Sequence, residues 1–175
     1  MSYRIVANRL ATFATLLADA VHADAEDLSA SAAAALVTLR RNGPTAILDI
    51  ARTIGLTHSA TVRLIDRLEK DWLVRRLSRK GREVKVELTA RGRRRAGQFQ
   101  DKRIAAAETL MAVLDSDEIE VLARAVDKML EVPIDGRETA DHVCRACDGD
   151  GCRAENCPVD AAAERFEATK GGGAG

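Results

Sequence analysis

Aromatic side chains are nearly absent: the chain has one Trp, one Tyr and three Phe among 175 residues. A core without them must interlock Ala, Leu, Val and Ile at helical spacing, and a 46% hydrophobic content supplies enough of these. Long apolar runs are missing too. No stretch reaches the roughly 18 apolar residues of a membrane span, and the N-terminus lacks the basic, apolar and small-residue order of a secretory signal. A cytoplasmic protein with no membrane partner is expected. Histidine is scarce, with only His22, His58 and His142. No nucleophile or carboxylate is visibly arranged around any of them, so an enzyme is not expected. Cysteine does not occur before residue 144. All four cysteines lie between Cys144 and Cys157, a clustering that in a reducing compartment points to metal or redox chemistry rather than a disulfide framework.

Net charge is also absent, with 27 basic and 27 acidic side chains, but the balance conceals segregation. Residues 1–51 carry four basic and five acidic groups, residues 52–100 fourteen and five, and residues 101–175 nine and seventeen. The middle third, at +9, predicts a polyanionic partner, because Lys and Arg that neutralise phosphates release condensed counterions. A solvated basic face is the plainer alternative.

Tyr3, Val6, Leu10, Phe13, Leu17 and Ala20 recur at steps of three and four, the stripe of one helix. Ile5 and Leu16 add a second partial face, more apolar surface than one neighbour covers, so this helix is expected to pack on another chain as well. Ser29 or Ser31 can cap a helix ending at Arg41, before Asn42-Gly43-Pro44. Thr45 can cap a third helix, which Gly55 stops. Thr57 caps a fourth, with Ala60, Thr61, Leu64, Ile65 and Leu68 inward and His58, Ser59, Val62, Arg63 and Arg67 outward. Leu73–Leu77 and Glu83–Leu88 alternate as half-buried strands around the basic tip Ser78-Arg79-Lys80-Gly81-Arg82. Thr89 caps a long helix through Leu114, and Asp115-Ser-Asp-Glu caps another that Pro133 ends. Beyond it the chain has few large apolar residues and finishes in a Gly-rich, flexible terminus.

Two short helices that cross closely need a small residue at the crossing and a Gly in the turn, the roles of Ala51 and Gly55. With a capped second helix, a hairpin and a local excess of positive charge, the pattern is a winged helix-turn-helix. The fold class expected is mainly α with a small β-hairpin wing and dimerisation helices at both ends. Its parts are residues 1–28 for the N-terminal helix, 29–90 for the winged domain, 91–132 for the C-terminal helices and 133–175 for the cysteine tail. Thr57, His58, Ser59, Val62, Arg63 and Arg67 are the candidate major-groove contacts on double-stranded DNA. Arg63 could reach guanine and Val62 a thymine methyl. Arg79, Lys80 and Arg82 would lie at the minor groove.

The stretch from Ile54 through Arg76, and then Val86-Glu-Leu-Thr-Ala-Arg-Gly, resembles the MarR family of bacterial transcriptional regulators. The likeness spans roughly residues 3–131 and is most specific at Leu88-Thr89-Ala90-Arg91-Gly92. It implies an obligate homodimer acting on a pseudo-palindrome, in many members with a small phenolic or other anionic effector bound between the two parts. One departure stands out: where the family wing has Asp-x-Arg, Ser78 here precedes Arg79-Lys80.

Cys144-x2-Cys147-x4-Cys152-x4-Cys157 has the spacing of a zinc knuckle, with Cys152 in place of its His. Tetrahedral structural zinc is the first reading. An iron–sulfur cluster is the second, because Cys157-Pro158 is also how ferredoxin-type ligand runs close. A Cys144–Cys147 dithiol switch and unligated thiols complete the choices; His142 reads as a bystander. Standing a dozen residues past the last dimer helix, the tail is expected to influence DNA through the dimer interface or by its own acidity. The function expected is a DNA-binding regulator of the repressor type, modulated by the metal or redox state of the tail. The alternatives are effector control with purely structural zinc, or a winged helix used for protein contacts.

Overall fold

The computed structural model describes residues 2–23, 28–78, 83–149, 152 and 157–171. The first helix, α1 (Tyr3–Ala23), leans on a long later helix, α5 (Ala90–Met111), and none of its residues from 3 to 21 is fully buried. Ser29 then caps α2 (Ala30–Asn42) by accepting the Ala32 amide at 3.2 Å. Eight consecutive residues of α2, Ala32 to Leu39, are buried. A helix buried on every side must be lined by small side chains where its neighbours approach, and the run of four alanines provides this. Leu36 and Leu39 meet Ile50, Ile65, Val74 and Val86 in the core beneath it.

Thr45 does not cap the third helix. It belongs to β1 (Thr45–Ala46), and its hydroxyl donates to the Gly43 carbonyl at 2.9 Å. Ala46 precedes α3 (Ile47–Ile54) without a side-chain cap. The backbone at 45 and 46 is extended because β3 (Lys85–Leu88) offers it a ladder, with Thr45 opposite Val86. β2 (Val74–Arg76) pairs with the other edge of β3, Arg75 opposite Glu87. The expected hairpin is therefore a three-stranded antiparallel sheet, ordered β1-β3-β2.

α4 (His58–Lys70) lies between α3 and the sheet and buries Thr61, Ile65 and Leu68. It ends with the Leu73 amide on the Leu68 carbonyl and the Trp72 amide on the Glu69 carbonyl, a Schellman closure. The left-handed position of that closure, which glycine favours, is held by Trp72 at φ 58°, with its side chain 74% exposed. Thr89 caps α5 through the Gly92 amide and also donates to the Trp72 carbonyl at 2.7 Å. A Cβ at Gly92 would stand 1.9 Å from the Leu73 carbonyl oxygen, so only glycine lets α5 start this close to β2. α6 (Ser116–Glu131) opens with a full capping box between Asp115 and Glu118 and buries no residue.

After Pro133, where the sequence shows only a cysteine-rich tail, the described residues form two further helices. α7 (Arg137–Val143) and α8 (Pro158–Gly171) enclose a second core of Ala140, Cys157, Val159 and Ala163. Small side chains suffice there because the two helices pack closely. α8 also runs along α6, where Arg165 pairs with Glu131 at 2.8 Å. Among the described residues no helix is long and apolar enough to cross a membrane.

Candidate nucleic-acid interface and cysteine cluster

The turn that presents α4 is built by backbone geometry. Gly55 adopts φ 70°, ψ 32°, and its amide and that of Leu56 close on the carbonyls of Arg52 and Ala51. Two residues later Thr57 accepts the Ala60 amide and starts α4. Its hydroxyl also lies 3.3 Å from that of Ser59. Thr57 is thus engaged as a cap, while His58, Ser59, Arg63 and Arg67 are exposed and Val62 is half-buried.

The carboxylates of α4 are drawn off this face by a residue that periodicity does not single out. Arg76 on β2 pairs with Glu69, and with Asp66 at 2.6 Å, while its backbone amide donates to Glu69 at 3.0 Å. Partial burial works against the Arg76 charge, but the hydrogen bonds and charges of Asp66 and Glu69 outweigh it and raise its pKa. Arg63 and Arg67 form no ion pair among the described residues. On the neighbouring strand Arg75 pairs with Glu87 across the ladder. The effect is a helix whose outward face keeps its positive charge while its negative charge is neutralised sideways. Arg79, Lys80 and Arg82 lie outside the described residues.

Cys144, Cys147, Cys152 and Cys157 converge between the end of α7 and the start of α8. All four are free thiols, Cys157 buried and the others half-buried. Hydrogen bonds link Cys144 to Cys147, Cys147 to Cys152 and Cys152 to Cys157. They line a cavity of about 20 Å³ shared with Arg41 and Asp141. Among the described residues no three His, Cys, Asp or Glu side chains stand in a geometry already set for a metal ion. The thiols face one another as donors and acceptors, and an ion would have to displace their protons. The hydrogen bond from Cys147 lowers the Cys144 pKa against the opposing effect of burial, with help from the Arg41 charge. The same bond, seen from Cys147, raises its pKa, and burial adds to this. Burial, followed by the charge of Cys147, pushes Cys152 up to about 12.

The cluster is docked on the helix-turn-helix, not suspended beyond the dimer helices as the sequence predicts. α7 packs on α3. Arg41, from the last turn of α2 and 10% exposed, donates to Asp141 at 3.1 Å and to the Cys144 carbonyl at 3.4 Å. Gln100 of α5, 6% exposed, donates to the Cys147 carbonyl at 2.9 Å. His142 Nδ1 donates to the Thr53 carbonyl at 2.9 Å, so this residue is a tie between the two parts and not a bystander. The physical reason for the difference is polar: Arg41, Gln100 and His142 satisfy buried carbonyls 47 to 103 residues away in the chain.

The sequence model of the MarR family matches residues 28–81. No curated protein matches the chain. Among solved structures, Rv1404 from Mycobacterium tuberculosis is similar at TM-score 0.68 and 27% identity, over 75% of this chain and 94% of that one. MepR, a transcription regulator of the Staphylococcus aureus multidrug efflux pump MepA, is similar at TM-score 0.63 and 20% identity, over 75% and 98%. Wild-type MarR from E. coli, in its apo form, gives TM-score 0.60 and 22% identity, over 74% and 97%. A capped, proud α4, a three-stranded wing and these matches lead to one conclusion: residues 28–81 match the MarR family model, and the chain shares the winged-helix fold of these solved structures.

Proposed function

We propose that the protein is a homodimeric transcriptional repressor that reads a pseudo-palindromic operator with α4 and the wing, and whose cysteine module holds zinc. The observation that carries this is the outward face of α4. It presents His58, Ser59, Arg63 and Arg67 to solvent while Arg76 neutralises Asp66 and Glu69. On this reading Arg63 and Val62 meet base edges and Arg67 a phosphate; Arg79, Lys80 and Arg82 supply the wing contact. Similarity in fold to MepR, itself a transcription regulator, supports a regulator over an enzyme.

Dimerisation is supported by what a single chain leaves bare. Tyr3, Ile5, Val6, Leu10, Phe13 and Leu16 of α1 are all more than 40% exposed, and Val121 and Met129 of α6 are similarly uncovered. Apolar surface on this scale is covered by a second copy, which also doubles the reading heads in the symmetry of a pseudo-palindrome. For the metal, four soft donors around a cavity with room for a single occupant fit one zinc ion better than an iron–sulfur cluster. When bound, the ion would cross-link a module whose apolar core is small.

Effector control is a second reading with its own observation. Trp72, Arg91, Arg94 and Arg95 line a cleft of about 750 Å³ between the end of α4 and the start of α5, suited by charge and size to an aromatic anion.

Titration of genomic operator fragments by fluorescence anisotropy at several salt concentrations tests the regulator. Affinity is expected to fall steeply with salt. Arg63→Ala should cost about 1–3 kcal/mol on specific DNA and relax one operator position, whereas neutralising Arg79 and Lys80 should weaken binding to all sequences. Unchanged affinity after both changes, or a folded monomer in sedimentation at micromolar concentration, would remove the reading. Metal analysis and a visible spectrum after anaerobic purification decide between zinc and iron–sulfur.

A further inference from the structure

We infer that the cysteine module acts on DNA recognition inside its own protomer, with His142 as a positioning residue that holds the α3–α4 turn and thereby the start of α4. The inference rests on α4 being the DNA-reading helix, and it replaces a route through the dimer interface with a direct one.

The connection is short at both ends. His142 is on the last turn of α7, and Cys144 terminates that helix, its amide on the Ala140 carbonyl. A displacement of Cys144 therefore moves the imidazole as part of one rigid turn. On the other side, the ring donates to Thr53, in the last turn of α3, and lies over Gly55. A Cβ at Gly55 would stand 2.9 Å from His142 Cε1, so the glycine serves both the left-handed backbone and the seat of the ring. Thr57, which caps α4, follows two residues later.

The rest of the module cannot absorb such a displacement freely. Arg41 fixes Asp141 and the Cys144 carbonyl to α2, and Gln100 fixes the Cys147 carbonyl to α5. One anchor sits on a helix of the winged domain and the other on α5, either side of the Cys144-x2-Cys147 turn. Closing the thiols around an ion, or releasing them, must pull against these two ties, and the least constrained path left is at the edge of α7 where His142 meets the turn. Thiol state is thus transmitted to the pitch and rigidity of α4 over a single hydrogen bond and one ring contact.

Amide hydrogen exchange of the full-length protein without DNA reads the turn directly. His142→Ala is expected to raise exchange at Gly55 to Val62 about five- to tenfold, the loss of one well-formed hydrogen bond, with α2 protected as in the wild type. His142→Gln, whose side-chain amide can donate to the same carbonyl, should recover part of the protection. The Cys144→Ser, Cys147→Ser double variant is expected to loosen the same amides. Combined with His142→Ala it should add little, because both changes act through one contact. Independent additive increments, or unchanged exchange at Gly55 to Val62 in His142→Ala, would overturn the inference. Operator titrations of the same variants keep the two claims apart. Amides that respond as described in a protein without operator affinity leave the coupling standing and remove the regulator; normal operator binding with unresponsive amides does the reverse.

Discussion

In the winged domain Leu36, Leu39, Ile50, Ile65, Val74 and Val86 are at most 2% exposed, whereas the cysteine module closes around Ala140, Cys157, Val159 and Ala163. At about 25 cal/mol per Å² of apolar surface, the first set stabilises a domain and the second falls far short of ordering two helices and the loops between them. The module is held by what it borrows: Arg41, Gln100 and the Thr53 carbonyl from its neighbour, and its own thiols. Dependence between the two regions should therefore run one way. The winged domain survives loss of the module's ties, and the module does not survive loss of the winged domain.

The largest expected effect tests the second half of that statement. Leu36→Ala, in the most enclosed part of the core, should cost about 2–5 kcal/mol and unfold both regions in one transition, as monitored by denaturant titration with circular dichroism. Separate transitions, with the module surviving, would break the asymmetry. Arg41→Ala should be intermediate, about 1.5–3 kcal/mol for charged hydrogen bonds at a nearly buried site, and felt by the module alone. Limited proteolysis should then cut between Pro133 and Pro158 while the winged domain stays intact. Zinc uptake should sharpen the same contrast through pH: thiol protons must leave for the ion to bind, and the Cys152 proton is held up to about 12. Zinc affinity should accordingly rise from pH 6 to pH 8, measured by competition with a chromophoric chelator, and a flat profile would count against thiolate ligation. The smallest effect belongs to Arg165→Ala. Its pair with Glu131 is largely exposed on both sides and should be worth less than about 1 kcal/mol, barely visible in thermal melts.

These two regions also differ in how far they can be read from sequence. The caps at Ser29, Thr57, Thr89 and Asp115 act on amides three residues away, and Gly55 acts on its own turn, so local residue type is enough to find them. The outward face of α4 follows from helical period, apart from Val62, which is half-buried. β1 carries no such signal, since two residues show no alternation and their partner is some forty residues on. The Arg76 clamp is equally silent, because it joins a strand to the side of a helix and not neighbours along one element. The tail is the extreme case. Its interior is alanine, one cysteine and a single valine, which leave no apolar stripe, and its docking depends on Arg41 meeting Asp141 a hundred residues away.

Trp72 occupies a left-handed corner that most side chains avoid, at the junction where α4 ends, Thr89 reaches its carbonyl and α5 begins. It is also the chain's only indole. Every photon of tryptophan emission therefore comes from one known position in the chain, and at 74% exposure that emission starts quenched and red-shifted by water. Any event that covers that position, such as an aromatic anion entering the arginine-lined cleft beside it, should shift the emission to the blue with no label attached. The same strained corner that ends α4 thus gives the protein an intrinsic optical gauge.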